Sequence, residues 1–192
     1  MNRINAKKSK SRRLLQPTHK ASSSTRTNLD TPLSYRSSTI TRHAACADLA
    51  YKGDSGISKV KNMWGTNDIE ILGHASEHIY ILRIQDQSYM SIRGTSLSDA
   101  GDLISDVDLF FHSLESSPRY HEAITFLNYT RKHFKMPVVL TGHSLGGSIC
   151  SALLERGDLY PIIQEIHTFN EGTSEVFSSV PYGANKYNAY II

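Results

Sequence analysis

Apolar positions along this chain are sparse until about residue 40, and then fall into alternating helical and strand periods. Ala44, Ala47, Leu49, Ala50 and Tyr51 recur at helical spacing up to Gly53, which predicts an amphipathic helix from near Thr41. From Ile79 to Ile84, Tyr80, Leu82 and Ile84 share one face, while Ile79, Ile81 and Arg83 share the other. A strand apolar on both sides is one that the core covers on both sides. Gln85-Asp86-Gln87-Ser88 turns the chain into Tyr89 to Arg93, so the pair reads as a hairpin. Ser96, with Asp99 three residues on, is a capping-box candidate for a helix through Leu103, Val107 and Phe110. Ser117 as N-cap and Pro118 at the first helical position open the clearest helix of the chain, with Tyr120, Ile124, Leu127 and Phe134 on its apolar face. Pro137 excludes further helix. Val138, Val139 and Leu140 then read as a short strand, and Ile149, Leu153 and Leu154 as a helix that Gly157 stops. Ile162-Ile163 with Glu165 to Phe169 predicts another strand, and Tyr187 to Ile192 a last one. Strands alternating with helices in this way predict an α/β domain, its mostly parallel sheet flanked by helices.

The 192 residues suffice for one domain and a tail. Residues 1–38 are rich in Lys, Arg, Ser and Thr, have little to bury, and are expected to be disordered; residues 39–192 form the domain. Charge follows the same division. Residues 1–36 hold nine Lys+Arg against one acid, a net of +8, and the remainder holds 12 against 17, a net of −5. The cluster Lys7-Lys8-Ser9-Lys10-Ser11-Arg12-Arg13 fits a nuclear-localisation or polyanion-binding patch, an organellar transit peptide, or a solvated tail of no specific function. Cys46 and Cys150 are too few for a disulfide framework and fall in helical patterns, where free Cys packs as a small hydrophobe. A reducing, intracellular setting and a soluble protein are expected. There is no run of 18 apolar residues and no apolar segment of the secretory type near Met1, so neither a transmembrane span nor a signal peptide is predicted.

The chemistry concentrates in Thr141-Gly142-His143-Ser144-Leu145-Gly146-Gly147, where a strand runs through G-x-S-x-G into a helix. A serine raised on a sharp strand-to-helix turn needs neighbours nearly free of side chains, and Gly142 and Gly146 supply them. Ester cleavage needs a nucleophile, a base to take its proton, and donors for the oxyanion that develops. Ser144 is the candidate nucleophile. The backbone N–H of Leu145, at the positive end of the following helix, is a candidate oxyanion donor. His143 directly precedes the serine, which aims its ring away from Oγ, and is expected to support the turn.

With those residues in place, the chain from about Thr41 onward resembles the class 3 lipase family of α/β-hydrolases. The resemblance rests on four landmarks in order: Leu49-Ala50-Tyr51, Arg93-Gly94-Thr95 followed by Asp102-Leu103-Ile104-Ser105-Asp106, Thr141 to Gly147, and Thr168-Phe169-Asn170. It implies that Thr95 supplies the second oxyanion donor, and that Ser96 to His112 lies where the family often carries a lid. Leu103 stands where the family usually has Trp, and Glu171 near where it commonly has Pro. Asp102 and Asp106 lie one helical turn apart and read as a capping or solvated face in preference to metal ligands, since no His or further carboxylate stands at ligand spacing. No cofactor or metal is implied.

In α/β-hydrolases the triad runs Ser, then Asp or Glu, then His. Only 48 residues follow Ser144, and the resemblance places the acid just beyond the strand Tyr187 to Ile192, with the His later still. No triad Asp or His is therefore identified. His167 is the only histidine in that stretch, and it reads as a sheet residue within a strand. The sequence is read as a lipase-type domain lacking its C-terminal part, ahead of two alternatives: a degenerate hydrolase kept for binding, or one completed by a partner chain. The expected activity is a serine ester hydrolase acting on acylglycerol-like lipids, possible at a membrane or droplet surface. The runner-up is an inactive relative binding lipid or protein, and a third reading is a nucleic-acid-associated protein acting through its basic tail.

Overall fold

A computed structural model describes residues 33–95, 114–171 and 184–191. The expected capping box at Ser96 and Asp99, the Asp102/Asp106 pair and the lid region lie outside the described residues, as does most of the basic tail. Helix α1 spans Leu33–Lys52. It starts well before Thr41, because packing from His43 onward pays the cost of nucleation and the helix then propagates backward into the polar stretch. Gly53, at φ 58°, ends it in a turn of 3₁₀ helix over Gly53–Gly56, and α2 follows over Ile57–Trp64, closed by Gly65 in the left-handed region.

Six strands form one sheet in chain order: β1 (Ile69–Ala75), β2 (Ile79–Ile84), β3 (Gln87–Ile92), β4 (Val138–His143), β5 (Ile163–Phe169) and β6 (Tyr187–Tyr190). The pairings β1/β2 and β2/β3 are antiparallel, and β3/β4, β4/β5 and β5/β6 are parallel. The sheet is thus mixed, with its parallel half after the hairpin. The parallel pairings require crossovers, which α3 (Pro118–Phe134) provides between β3 and β4 and α4 (Leu145–Glu155) between β4 and β5. Ser117 caps α3 as expected, accepting the Tyr120 N–H at 3.1 Å, with Pro118 in the first turn.

The two sheet faces are clothed differently. Ile79, Ile81, Met90, Val138, Leu140 and Ile166 pack with the apolar faces of α3 and α4 in the larger core. Leu82, Ile84, Tyr89 and Val139 pack with Ala45, Cys46 and Leu49 of α1 and Val60 of α2. The alternation along β2 and β4 distributes consecutive residues between these layers, so the apolar positions of both strands are covered on both faces. Both cysteines are free and buried. Among the described residues no helix is long and apolar enough to cross a membrane.

Two elements escaped the sequence reading. Strand β1 carries Ile69 and Ile71 in alternation, but a register shift between Ile71 and Gly73 breaks its period. Helix α2 is only eight residues long, with Ile57, Val60 and Trp64 as its apolar stripe.

Leu140→Ala should cost about 2–5 kcal/mol, since Leu140 is fully buried. Ser117→Ala should cost about 1 kcal/mol through its lost cap. Chemical denaturation of the two variants, compared with the parent chain, measures both values.

Candidate functional site

Strand β4 ends at His143 and α4 begins at Leu145, leaving Ser144 alone between them at φ 52° and ψ −125°. A β-carbon at positive φ is strained, and such a conformation persists only where its surroundings over-determine it. Three backbone hydrogen bonds hold it here. The Ser144 N–H donates to the Phe169 carbonyl at the end of β5 (3.0 Å), and the Ser144 carbonyl accepts from the N–H groups of Gly147 (2.8 Å) and Ser148 (3.1 Å). Ser144 itself is half-buried, and its side chain makes no capping bond to the helix it precedes.

Three glycines permit this geometry. A Cβ on Gly142 would strike the Gly146 carbonyl, and one on Gly146 would strike the Ile92 carbonyl at the end of β3. A Cβ on Gly94 would meet the His143 carbonyl and come within 3.2 Å of Ser144 Cβ. The chain after β3 therefore runs directly alongside the serine turn, and Thr95 is the next residue. Leu145 and Gly146 occupy the first turn of α4, where backbone N–H groups have no partner within the helix and the dipole is positive. The structure thus brings Gly142, His143, Ser144, Leu145 and Gly146 together and sets the Arg93-Gly94-Thr95 segment beside them.

His143 supports the turn through Tyr51 of α1. The Tyr51 hydroxyl accepts the Gly94 N–H at 3.0 Å and lies 3.0 Å from His143 Nδ1. The hydroxyl keeps its hydrogen and a second lone pair for Nδ1, so the contact fits a neutral imidazole with its proton on either nitrogen. Burial lowers the His143 pKa, which favours that neutral form. Arg93 stacks over the Tyr51 ring at 5.5 Å, and its carbonyl accepts from Arg119 Nη1 of α3 at 2.9 Å. One phenol thus ties α1 to the loops after β3 and β4. The sequence marked Tyr51 as a landmark, but nothing in its spacing revealed this bridge. A cleft of 340 Å³ opens beside it, between Ala44, Ala47 and Tyr51 of α1 and the side chains of His143 and Phe169.

His167 is a sheet residue, as its strand position predicted. It points to the α1 side of β5, where its ring stacks on His43 at 3.5 Å between centroids and 6° between planes. Its Nδ1 is 3.1 Å from the Tyr190 hydroxyl. Burial, together with His167, lowers the His43 pKa to about 4. The neighbouring His167 ring holds the Glu165 carboxyl pKa down against the opposing effect of burial. Among the described residues the imidazoles nearest the turn thus face other partners: His143 faces Tyr51, His167 faces Tyr190, and His43 faces the Thr39 carbonyl at 2.8 Å. Glu171, following β5, accepts the Tyr187 hydroxyl at 2.6 Å and packs near Gly147 at the start of α4.

No protein-family model matches the chain, and no curated protein sequence matches it. Solved structures do. A lipase from Rhizopus microsporus var. chinensis is 18% identical, with a TM-score of 0.51, and the match covers 84% of this chain and 67% of that one. Lipase II from Rhizopus niveus is 16% identical, with a TM-score of 0.56, covering 83% and 72%. The chain has the α/β-hydrolase fold of these lipases, with a mixed six-stranded sheet flanked by helices.

Gly146→Ala should destabilise the domain by about 1–3 kcal/mol or more, because the clash is with backbone and cannot be relieved by a rotamer change. α4 ends at Glu155 with Arg156 as its extended C-cap, ahead of the expected stop at Gly157, where nothing lies within 4 Å of an added Cβ, so Gly157→Ala should be neutral or stabilising by about 0.4–1 kcal/mol. Tyr51→Phe should cost about 1–3 kcal/mol, as the Gly94 N–H loses its acceptor. Equilibrium unfolding of the three variants checks the ranking.

Proposed function

We propose that this protein is a serine ester hydrolase of the lipase type, in which Ser144 attacks a carboxylic ester of an acylglycerol-like lipid and carries the acyl group. The observation that carries the reading is the backbone of Ser144: a half-exposed serine held at φ 52° on a strand-to-helix turn whose glycines admit no side chain. Strain of that kind is spent where a side chain must be presented to a ligand. The likeness in fold to the two Rhizopus lipases supports the same reaction class.

In this reading the ester carbonyl sits over the start of α4. As Ser144 Oγ adds to the carbonyl carbon, the charge that develops on oxygen is met by the Leu145 N–H and the Thr95 N–H, both fixed before the reaction begins. The alcohol leaves, and water releases the acyl group by the same steps in reverse order. The glycines Gly142 and Gly146 and the His143–Tyr51 pair hold the turn without touching substrate. A base must take the Ser144 proton, and no described imidazole is assigned that role. A non-catalytic protein that binds lipid or a protein partner on the same fold is the alternative.

Added imidazole separates the two. With a medium-chain p-nitrophenyl ester, acylation of Ser144 should rise with imidazole concentration, because the free base substitutes for an assigned one while the oxyanion donors remain. Removing a triad base leaves roughly 10³–10⁴-fold catalysis over water from such donors and binding. Mass mapping should place the acyl group on Ser144, and Ser144→Ala should abolish it. Equal acylation in Ser144→Ala, or none at any imidazole concentration, would leave the binding alternative.

A further inference from the structure

Away from the serine turn, His43 of α1 and Glu165 and His167 of β5 each offer one ligand atom, and the three atoms lie within 4.8 Å of one another. His43 is 5% exposed and His167 2%. Each ring has its Nδ1 engaged on the far side, His43 with the Thr39 carbonyl and His167 with the Tyr190 hydroxyl. A carbonyl can only accept, so His43 keeps its proton on Nδ1 and presents a bare Nε2 lone pair. His167 Nε2 is 3.4 Å from Glu165 Oε1, yet makes no hydrogen bond to it, and this nitrogen is fully buried without a partner. Buried polar atoms are nearly always satisfied, and an orphan nitrogen beside a second imidazole and a carboxylate is a donor set that a cation would satisfy.

We propose that His43, Glu165 and His167 bind a divalent transition ion, best matched by Zn²⁺. Two imidazoles and one carboxylate suit that ion, which takes three protein ligands and a water in many proteins. Histidines that hold a metal ordinarily give their other nitrogen to a carbonyl or similar partner, the role that Thr39 and Tyr190 fill here. The Glu165 side chain is 38% exposed and supplies the entry path and the open fourth position. The rings lie too nearly parallel for both lone pairs to meet one ion, so binding turns the His167 ring about its soft Cβ–Cγ torsion, with the Tyr190 hydroxyl following it, and breaks the stack while His43 keeps its bond to Thr39. Bonds of about 2.0–2.1 Å then draw the ligand atoms closer than they stand here. The ion clamps α1 to β5. Its role is structural and independent of ester cleavage at Ser144.

The test uses the full chain, freed of metal with a chelator and titrated with Co²⁺ and then Zn²⁺. The expected result is one equivalent of Co²⁺ bound with the visible bands of a four-coordinate site, their displacement by Zn²⁺, and a rise in melting temperature. His43→Gln and His167→Gln should abolish the bands, Glu165→Gln should weaken binding, and Tyr190→Phe should weaken it by about tenfold. Glu165 is partly exposed, so Glu165→Gln decides the matter if the histidine variants fail to fold. The exposed His74, His121 and His133 are left intact in every variant and report background binding. Absence of the bands in the parent chain, or the same bands in Glu165→Gln and in the His43→Gln/His167→Gln double variant, overturns the proposal.

Discussion

The contact between the end of β3 and the start of α4 is the constraint on which the rest of the domain depends. There the backbone of Gly146 lies against the Ile92 carbonyl, with no room for a side chain on either Gly146 or Gly94. That approach fixes how α4 leaves the sheet, and therefore where Ser144 stands and which N–H groups surround it. The positive-φ conformation of Ser144 would relax in isolation. It is held from behind by the Phe169 carbonyl, from below by the first turn of α4, and from the side by the Gly94 segment. The interlock has a cost in backbone entropy, since each glycine gives up more freedom than any other residue would.

The two layers around the sheet answer different needs. The α3 and α4 side holds the larger of the two hydrophobic cores. The α1 side mixes that chemistry with polar groups. Ser91, Thr141, His167 and Asn188 occupy successive register positions across β3 to β6, and Ser91 and Thr141 hydrogen-bond to each other at 3.1 Å. Such a row under a helix has to be satisfied group by group. Tyr51 bonds Gly94 and His143 near the end of α1, and His43 stacks on His167 farther back, so the helix is positioned by directed contacts as much as by its apolar face.

Much of this architecture was legible in the amino-acid sequence. Periodicity located the hairpin, the α3 helix with its Ser117-Pro118 start, the strand before Ser144 and the helix after it, because each of those segments has a strong period or a sharp stop. The same reading missed β1, whose alternation is broken by a bulge, and α2, which is too short to show more than one stripe. It also placed the onset of order too late, since residues 33–40 are helical by attachment to a packed segment and not by their own preference. The serine turn was visible because glycines and serine must be adjacent in sequence to make it. Tyr51, Gly94 and His143 meet only through the fold, and so do His43, Glu165 and His167; groups brought together from distant segments leave no local spacing to read.

The order of the strands in the sheet is their order in the chain. Each new strand therefore adds beside the one made just before it, and no segment has to be inserted between two that are already paired. A chain of this kind can assemble progressively as it emerges from the ribosome, with the β1–β3 meander forming from local contacts that close cheaply. The serine turn cannot form at that stage. Its strained backbone depends on β4 and α4 being docked on β3, so this conformation requires a scaffold complete enough to hold it.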